Sequence, residues 1–518
     1  MQISHQDRRT LPWLAIVFCV LILALILGGL SEPVSFDDSL RHFMMGKLMA
    51  ARGILGLRGW SEWFFAGYLF EHPVDPWFLS NVLYMPFTGF PIAQGLHLYA
   101  LFSITFLAFC FVLILKNLEV NPVISSLLVL LLIFGHEGFL FRLLIARPFT
   151  VITALTVLLM LFIIKKKNIP AGITMVLLVM LSHIFVFPLG VALIGVFLSY
   201  MNKNKQKSLS LFAAVSVGTL VGFFLHPEPI EYLKYMGLVF FRTPFMNFPD
   251  RATELSGGLG EGGIIFVITA VIVLLHFLII FNRKVRQKDL FVLLFLDFVA
   301  VFFLAQFMLW ARSMDFLWPA LLVLAGWLTT YFADPFGKLS ELFSQKRHAI
   351  GALTAAFTLF VCFVSTVPLA LAINFSDKNH SLNFYKQAFA NVEPSARILP
   401  VRWDWFSPSV AVRPDLKYAR GIDPLFDYAS NSGAYALMAA VFPTRFPETR
   451  QYIDAEGWLE ASLKVYPSDY LMLSAERYAP IIKSIKKLGY EDVSQSEKWA
   501  VFDVKKINGL GDKSKKSE

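Results

Sequence analysis

Two adjacent carboxylates, Asp37 and Asp38, follow directly on an apolar stretch. They open the amphipathic segment "SFDDSLRHFMMGKLMAARG" (35–53), which also carries Arg41 and His42. One aspartate at a helix start is ordinary capping, because it bonds exposed N–H groups and suits the helix dipole. A second beside it repels the first, and carboxylates at a membrane boundary are expensive to place, which points to function. One of a pair can act as a general base while the other orients it, binds a cation or shares a proton.

Further chemistry-bearing residues recur along the chain. "GHEGFLFRLLIARPFT" holds His136, Glu137 and Arg147. An arginine just before an apolar span needs a partner, and Glu137 or a bound phosphate would serve. His183 sits in "LSHIFVFPLG", where a hydrogen-bonded structural histidine is the plain alternative to a functional one. The stretch 226–262 mixes Glu228, Glu231, Lys234, Arg242 and Asp250 with a Gly-rich end. Such a loop can order over a substrate. Its "SGGLGEGG" lacks the GK[ST] ending of a phosphate-binding P-loop. "LWARSMDFLWP" places Arg312 and Asp315 at the end of another span, as a phosphate clamp or as an i, i+3 ion pair.

The elements that must position these residues are membrane helices. Charged residues make up only 16% of the 518, too few to coat a soluble core of this size. The chain therefore reads as an α-helical polytopic membrane protein. Apolar segments fall at 11–30, 97–115, 121–135, 149–164, 169–182, 185–201, 209–225, 263–281, 289–305, 315–332 and 349–372, about eleven spans. The first is long enough to span, with no small-residue cleavage site before the Asp pair. The net charge of +9 lies mostly in short loops between spans, a signature of topology and not of nucleic-acid binding. Cys19, Cys110 and Cys362 all fall in apolar segments, so they suggest neither a disulfide framework nor a zinc site.

The positive-inside rule puts the N-terminus in the cytoplasm and residues 31–96, 136–148, 183, 226–262, 306–314 and everything after 373 outside. Basic clusters bracket 168–202, so that region must be a hairpin of two short helices or one re-entrant feature. All the candidate residues then share the outer face. Span interiors hold few charges, and Asp297 is the main exception. From about 375 the composition turns polar. "LNFYKQAFANV" reads as a helix, "SARILPVRW" as a strand, and "SDYLMLS", "AERYAPIIKSIKKLG" and "YEDVSQSEKWAVFDV" as strand, helix, strand. Gly489 stands where a helix C-cap belongs. "RGIDPLFDYASNSG" reads as a loop. The expected organisation is a transmembrane catalytic domain over 1–374, a small extracytoplasmic α/β domain over 375–508 and a disordered tail over 509–518.

An N-terminal span followed by an outer acidic pair opening an amphipathic helix resembles the GT-C superfamily of integral membrane glycosyltransferases. That superfamily includes protein O-mannosyltransferases and lipid A aminoarabinose transferases. Four further stretches resemble its motifs: "GLRGWSEWFFAGYLFEHPVDPWF" its Trp- and Gly-rich run, "LLIARPFTVITAL" its Arg-Pro helix entry, "LSHIFVFPLGVAL" its histidine-proline turn, and "RSMDFLWPALLVLAG" its Arg-Phe-Pro span. The proline of the turn comes five residues after the histidine here, and Arg312 stands further from its proline than in the family. No "WWD" acceptor motif is present, which argues against asparagine-linked transfer.

The resemblance implies a bacterial inner-membrane enzyme using a polyprenyl-phosphate-linked sugar donor and a glycan, lipid or protein acceptor. It implies an inverting transfer with Asp37 as general base, with Asp38 and Glu137 as further acids of the site. The donor phosphate would be held among Arg41, His42, Arg147, His183, Lys234, Arg242 and Arg312. Some members use a metal. Oxygen ligands from Asp37, Asp38 and Glu137 would suit Mg²⁺ or Mn²⁺, not zinc. Three other readings compete: an envelope polysaccharide polymerase or ligase using a pyrophosphate-linked glycan, a transporter or flippase of lipid-linked substrates, and a scaffold. No internal repeat or midplane polar cluster of the transporter kind is visible.

Overall fold

A computed structural model describes residues 38–242, 263–281, 289–310, 313–332, 382–439, 454–494 and 496–505. Asp37, Asp250, Arg312, the side chain of Arg242, Cys19, Cys362, the apolar segments 11–30 and 349–372 and the tail 509–518 lie outside the described residues.

The helices run in chain order as α1 (Ser39–Arg52), α2 (Phe78–Tyr84), α3 (Ile92–Asn117), α4 (Pro122–Phe134), α5 (Glu137–Leu144), α6 (Phe149–Ile164), α7 (Asn168–Leu181), α8 (Val186–Met201), α9 (Lys205–Phe224), α10 (Pro229–Met236), α11 (Gly263–Phe281), α12 (Leu290–Leu309) and α13 (Met314–Thr329). The polar C-terminal part adds α14 (Leu382–Ala388), β1 (Arg397–Pro400), α15 (Phe406–Val412), β2 (Lys417–Tyr418), α16 (Pro424–Ser430), α17 (Ser432–Ala439), α18 (Ala455–Val465), β3 (Tyr470–Ser474), α19 (Ala479–Lys487) and β4 (Trp499–Asp503).

Contacts divide the chain into two units. The first holds residues 1–32, 93–226 and 253–374, and the second holds 33–92, 227–252 and 375–518. The first is a bundle of apolar helices. Each of the nine expected spans that falls on described residues coincides with a helix. Among the described residues, four stretches are long and apolar enough to cross a membrane: α3, His183–Met201, α9 and α12. The bent pair α4–α5 would add a fifth. At about 1.5 Å rise per residue, the shorter α6, α7 and α13 reach only part of a bilayer core of about 30 Å.

Breaks in these helices have local causes. Ser182 is extended, ends α7, and accepts a hydrogen bond from Ile184 N on its side chain; His183–Phe185 then form one tight turn into α8. The expected two-helix hairpin is thus formed. α4 and α5 meet at 76°. The His136 ring caps α5 by accepting from Phe139 N, and the Trp318 indole donates to the carbonyls of Leu131 and Leu132 at the end of α4. A bend exposes carbonyls, and buried ones need such partners. Asp297, the charge expected inside a span, is paired: His276 Nε2 lies 2.9 Å from its Oδ1.

The second unit carries a four-stranded sheet of order β2-β1-β3-β4, with β1 parallel to both neighbours and β4 antiparallel to β3. The strands and helices expected after 375 appear where the periodicity placed them. Gly489 follows α19 at φ +85°, the left-handed position that ends a helix. The segment read as a loop, "RGIDPLFDYASNSG", contains α16 and leads into α17 instead. Asp423 caps α16 on Leu425 N at 2.8 Å and Pro424 stands at its first turn, a helix-start signal that the surrounding turn formers obscured.

The segment around Trp63 is bound into this sheet domain. Tyr418 N donates to Trp63 O at 2.7 Å and Phe65 N donates back to Tyr418 O at 3.2 Å, which adds Phe64 as a short parallel bridge beside β2. The Trp63 indole donates to Pro414 O at 3.2 Å, and Phe64 stacks on Phe406 of α15. Gly59 makes the loop's tight return possible. Its φ is +56°, and a Cβ there would sit 2.6 Å from the Val74 carbonyl carbon. Gly59→Ala should therefore lower stability by more than the roughly 1–2 kcal/mol of a left-handed alanine alone. Thermal unfolding of the purified variant checks this.

Candidate active site

The polar end of α1 is built from its first four residues. Asp38 occupies the N-cap position, but its side chain makes no capping hydrogen bond. Its carboxylate reaches instead to Arg41, with Nη1 to Oδ1 at 2.7 Å. Simple capping, the plain reading of an aspartate here, does not describe Asp38. Arg41 is only 5% exposed, lies over the Trp60 ring at 5.5 Å, and its Nε is buried without a hydrogen-bond partner among the described residues. A guanidinium so placed is held by one carboxylate and one aromatic face, with a donor to spare for an anionic group.

Behind it lies a buried polar cluster. His42 Nδ1 is 2.7 Å from Asn81 Oδ1, and Asn81 Nδ2 donates to Asp75 Oδ2 at 2.7 Å. Asp75 Oδ1 accepts from Trp77 N at 3.1 Å, and the Trp60 side chain also donates to this carboxylate. Burial pushes the Asp75 carboxyl up to about 6, against the pull of these hydrogen bonds and of the Arg41 charge. Trp60 and Trp77 meet the His42 ring edge-on and Tyr84 stacks on it.

The loop after α9 contributes to the same unit. Glu228 is pushed up to about 7, first by burial and then by the Asp75 charge. Burial also raises the Tyr232 hydroxyl well above its usual range. Lys234 donates to Glu231 at 2.6 Å, and His72 joins the other oxygen of Glu231 at 2.9 Å. Lys234 first, with His72 after it, holds Glu231 below the usual carboxylate range. Lys234 is thus engaged with protein.

Glu228 carries a linkage consequence. Its folded pKa is raised above 4.5, so its favourable contribution is fully present at low pH and is lost as pH rises through about 7. Glu228→Gln should raise the melting temperature at pH 8, with a gain that shrinks toward pH 4.5. Melting curves across that range check it; an equal shift at both ends would contradict the burial of this carboxyl.

The helical unit holds a second constellation. Arg142 Nε lies 2.9 Å from Asp315 Oδ1, with Asp315 only 3% exposed, and Arg142 covers the Phe149 ring at 4.8 Å. The expected i, i+3 partner of Asp315, Arg312, lies outside the described residues; the partner seen is Arg142. Glu137 is exposed on the first turn of α5 and makes no ion pair among the described residues. Arg147 is partly buried just before α6, and His183 is buried in the turn between α7 and α8.

Of the residues singled out in the sequence, the structure brings together Asp38, Arg41 and His42 in one unit, with Lys234 elsewhere in that unit. Glu137, Arg147 and His183 belong to the other. Sequence reasoning missed Asp75, Asn81, Trp60 and Arg142 as site-forming residues. Among the described residues no three His, Cys, Asp or Glu side chains are placed to hold a metal ion. Asp38, one of the three oxygen donors expected for Mg²⁺ or Mn²⁺, is taken up by Arg41. The described donor set does not fit such an ion.

No protein-family model matches the chain. No curated protein matches it either. Solved structures do. The crystal structure of ArnT from Cupriavidus metallidurans in the apo state superposes with TM-score 0.59 over 95% of this chain and 97% of that one, at 11% identity. This chain has an ArnT-like fold. ArnT from the same organism bound to undecaprenyl phosphate gives TM-score 0.54 over the same shares of both chains, at 12% identity. At such identities the likeness is one of fold. The ArnT-like fold agrees with the helical, multi-pass membrane architecture expected from composition.

Proposed function

We propose that this chain is a membrane glycosyltransferase that moves a sugar from a polyprenyl-phosphate donor to an acceptor hydroxyl, with inversion, on the extracytoplasmic face of a bacterial inner membrane. The carrying observation is the acidic start of α1, where Asp38 grips the buried Arg41, on an ArnT-like fold. The undecaprenyl phosphate in one ArnT structure supports a lipid-phosphate donor for this chain as well.

In this reading Asp37 takes the proton of the acceptor hydroxyl. The oxygen attacks the anomeric carbon, the carbon–oxygen bond to phosphate breaks, and the electron pair leaves with the polyprenyl phosphate. Asp38 is committed to Arg41, so the base role falls to its neighbour. Guanidinium groups stabilise the departing phosphate, a large share of catalysis in transfers of this type. Arg41 is the first of them, with Arg147 and Arg312 as further candidates. His42, His183, Lys234 and Arg242 complete the candidate set, and Glu137 is a candidate second acid. The N-terminus is cytoplasmic and the sheet domain extracytoplasmic, as the basic loops require.

The test uses purified full-length protein in detergent, without any ion gradient, given undecaprenyl-phosphate sugars and envelope-derived acceptors. Release of undecaprenyl phosphate with sugar on the acceptor is expected. Turnover only of pyrophosphate-linked glycans would favour the polymerase or ligase. No turnover with any lipid-linked sugar would overturn the proposal.

A further inference from the structure

The buried cluster behind Arg41 has a direction. Asp75 is 2% exposed, and at pH 7.5 its carboxyl, pushed up to about 6, is ionised and can only accept. Its donors include the Trp77 backbone N–H, the Asn81 amide and the Trp60 side chain. Asn81 must therefore turn its NH₂ toward Asp75, which leaves its carbonyl facing His42. That carbonyl can only accept, so His42 Nδ1, 2.7 Å away, must carry a proton. Packing keeps the ring from turning. Trp60 and Trp77 stand edge-on at 5.7 and 5.4 Å and Tyr84 stacks at 6.2 Å. α1 and α2 also approach closely enough that a Cβ at Gly46 would fall 2.8 Å from the backbone carbonyl oxygen of Asn81.

We infer that Asp75 is a positioning residue: acting through Asn81, it fixes the His42 imidazole with its proton on Nδ1, so that Nε2 is the nitrogen that titrates, one residue along α1 from Arg41. Asp75 thus acts on two consecutive residues, on Arg41 through charge and on His42 through the amide. Its consequence for turnover rests on reading the start of α1 as the site of sugar transfer; the tautomer itself does not.

Asp75→Asn provides a sharp test. An asparagine at 75 would keep its oxygen on the Trp77 N–H and turn its NH₂ toward Asn81. Asn81 would flip to present its carbonyl, and its NH₂ would face His42, whose Nδ1 would then have to accept. The proton of the neutral ring would move to Nε2. Asn81→Asp, by contrast, keeps an acceptor facing Nδ1 and should keep the proton there.

The measurement is nitrogen NMR of full-length protein labelled with ¹⁵N-histidine at pH 7.5, with His42→Gln identifying the signal. Wild type and Asn81→Asp should show a protonated Nδ1, and Asp75→Asn a neutral ring protonated at Nε2. A neutral wild-type ring protonated at Nε2, or a ring unchanged by Asp75→Asn, would overturn the inference. In the transfer assay, Asp75→Asn should lower kcat by about 10- to 100-fold with donor KM within about threefold, and adding Asn81→Asp to Asp75→Asn should restore most of it. A kcat unchanged in Asp75→Asn despite a switched tautomer would refute the positioning role. Absence of transfer by wild type would sink the proposed activity, while the nitrogen spectra would still decide the relay.

Discussion

Asp37→Asn is expected to reduce sugar transfer by about 10²–10⁴-fold, the usual worth of a positioned general base, while undecaprenyl phosphate still binds. Asp38 is held at 2.7 Å through Oδ1 by a guanidinium that is itself buried against Trp60, so its charge already serves the protein. Asparagine has nearly the shape of aspartate and keeps an acceptor oxygen, so the binding surface survives and only proton removal is lost. The signature is a collapse of kcat with little change in donor affinity, measured by labelled-sugar transfer alongside lipid-phosphate binding. An active Asp37→Asn enzyme would point to the polymerase-type mechanism, which relies on cations instead of a carboxylate base. A variant that lost donor binding and turnover together would make Asp37 a binding group.

The second large effect belongs to Arg142 and Asp315. Removing one member of a buried ion pair takes a counterion from the other charge, which typically costs about 3–5 kcal/mol. Arg142→Met should accordingly destabilise the helical unit strongly, since Asp315 is 3% exposed and cannot turn to water. The double variant Arg142→Met/Asp315→Leu should regain most of the loss, because apolar groups of similar volume often replace a buried pair at little cost. Thermal unfolding of the two single variants and the double closes the cycle. If the double variant stays stable but loses transfer, the pair is retained for function; if it stays stable and active, the pair is only structural.

The two ends of the chain's architecture differed in how much the sequence revealed. Apolar runs and alternation are local, so α3, α4, α6 to α9 and β1, β3 and β4 could be read from the sequence, whereas α5 fell in a stretch read as a loop. α16 could not, because a proline, two aspartates and flanking glycine and asparagine resemble a turn until the Asp423 cap is seen. Within the site, Asp38, Arg41 and His42 drew attention because they cluster in sequence beside an apolar span. Asp75 did not, although it lies in the quoted Trp-rich run: nothing in "HPVDPWF" says that an asparagine six residues on will bind it, or that this asparagine will reach a histidine 39 residues back. Arg142 was hidden for a similar reason. It stands among apolar residues of α5, and its partner arrives on a distant helix. Pairings across the sequence are set by packing, which no single stretch encodes.

The backbone exchange between Trp63 and Tyr418 has a consequence for biogenesis. The indole of Trp63 waits for a carbonyl 351 residues further along the chain. At about 5–20 residues per second of synthesis, roughly 20–70 seconds separate the emergence of the loop from that of its partner. During that interval the Trp-rich segment would stand without the sheet that completes it, a natural target for chaperones and proteases. Nascent chains stopped before Tyr418 should therefore be degraded from this loop, even with every preceding helix already inserted.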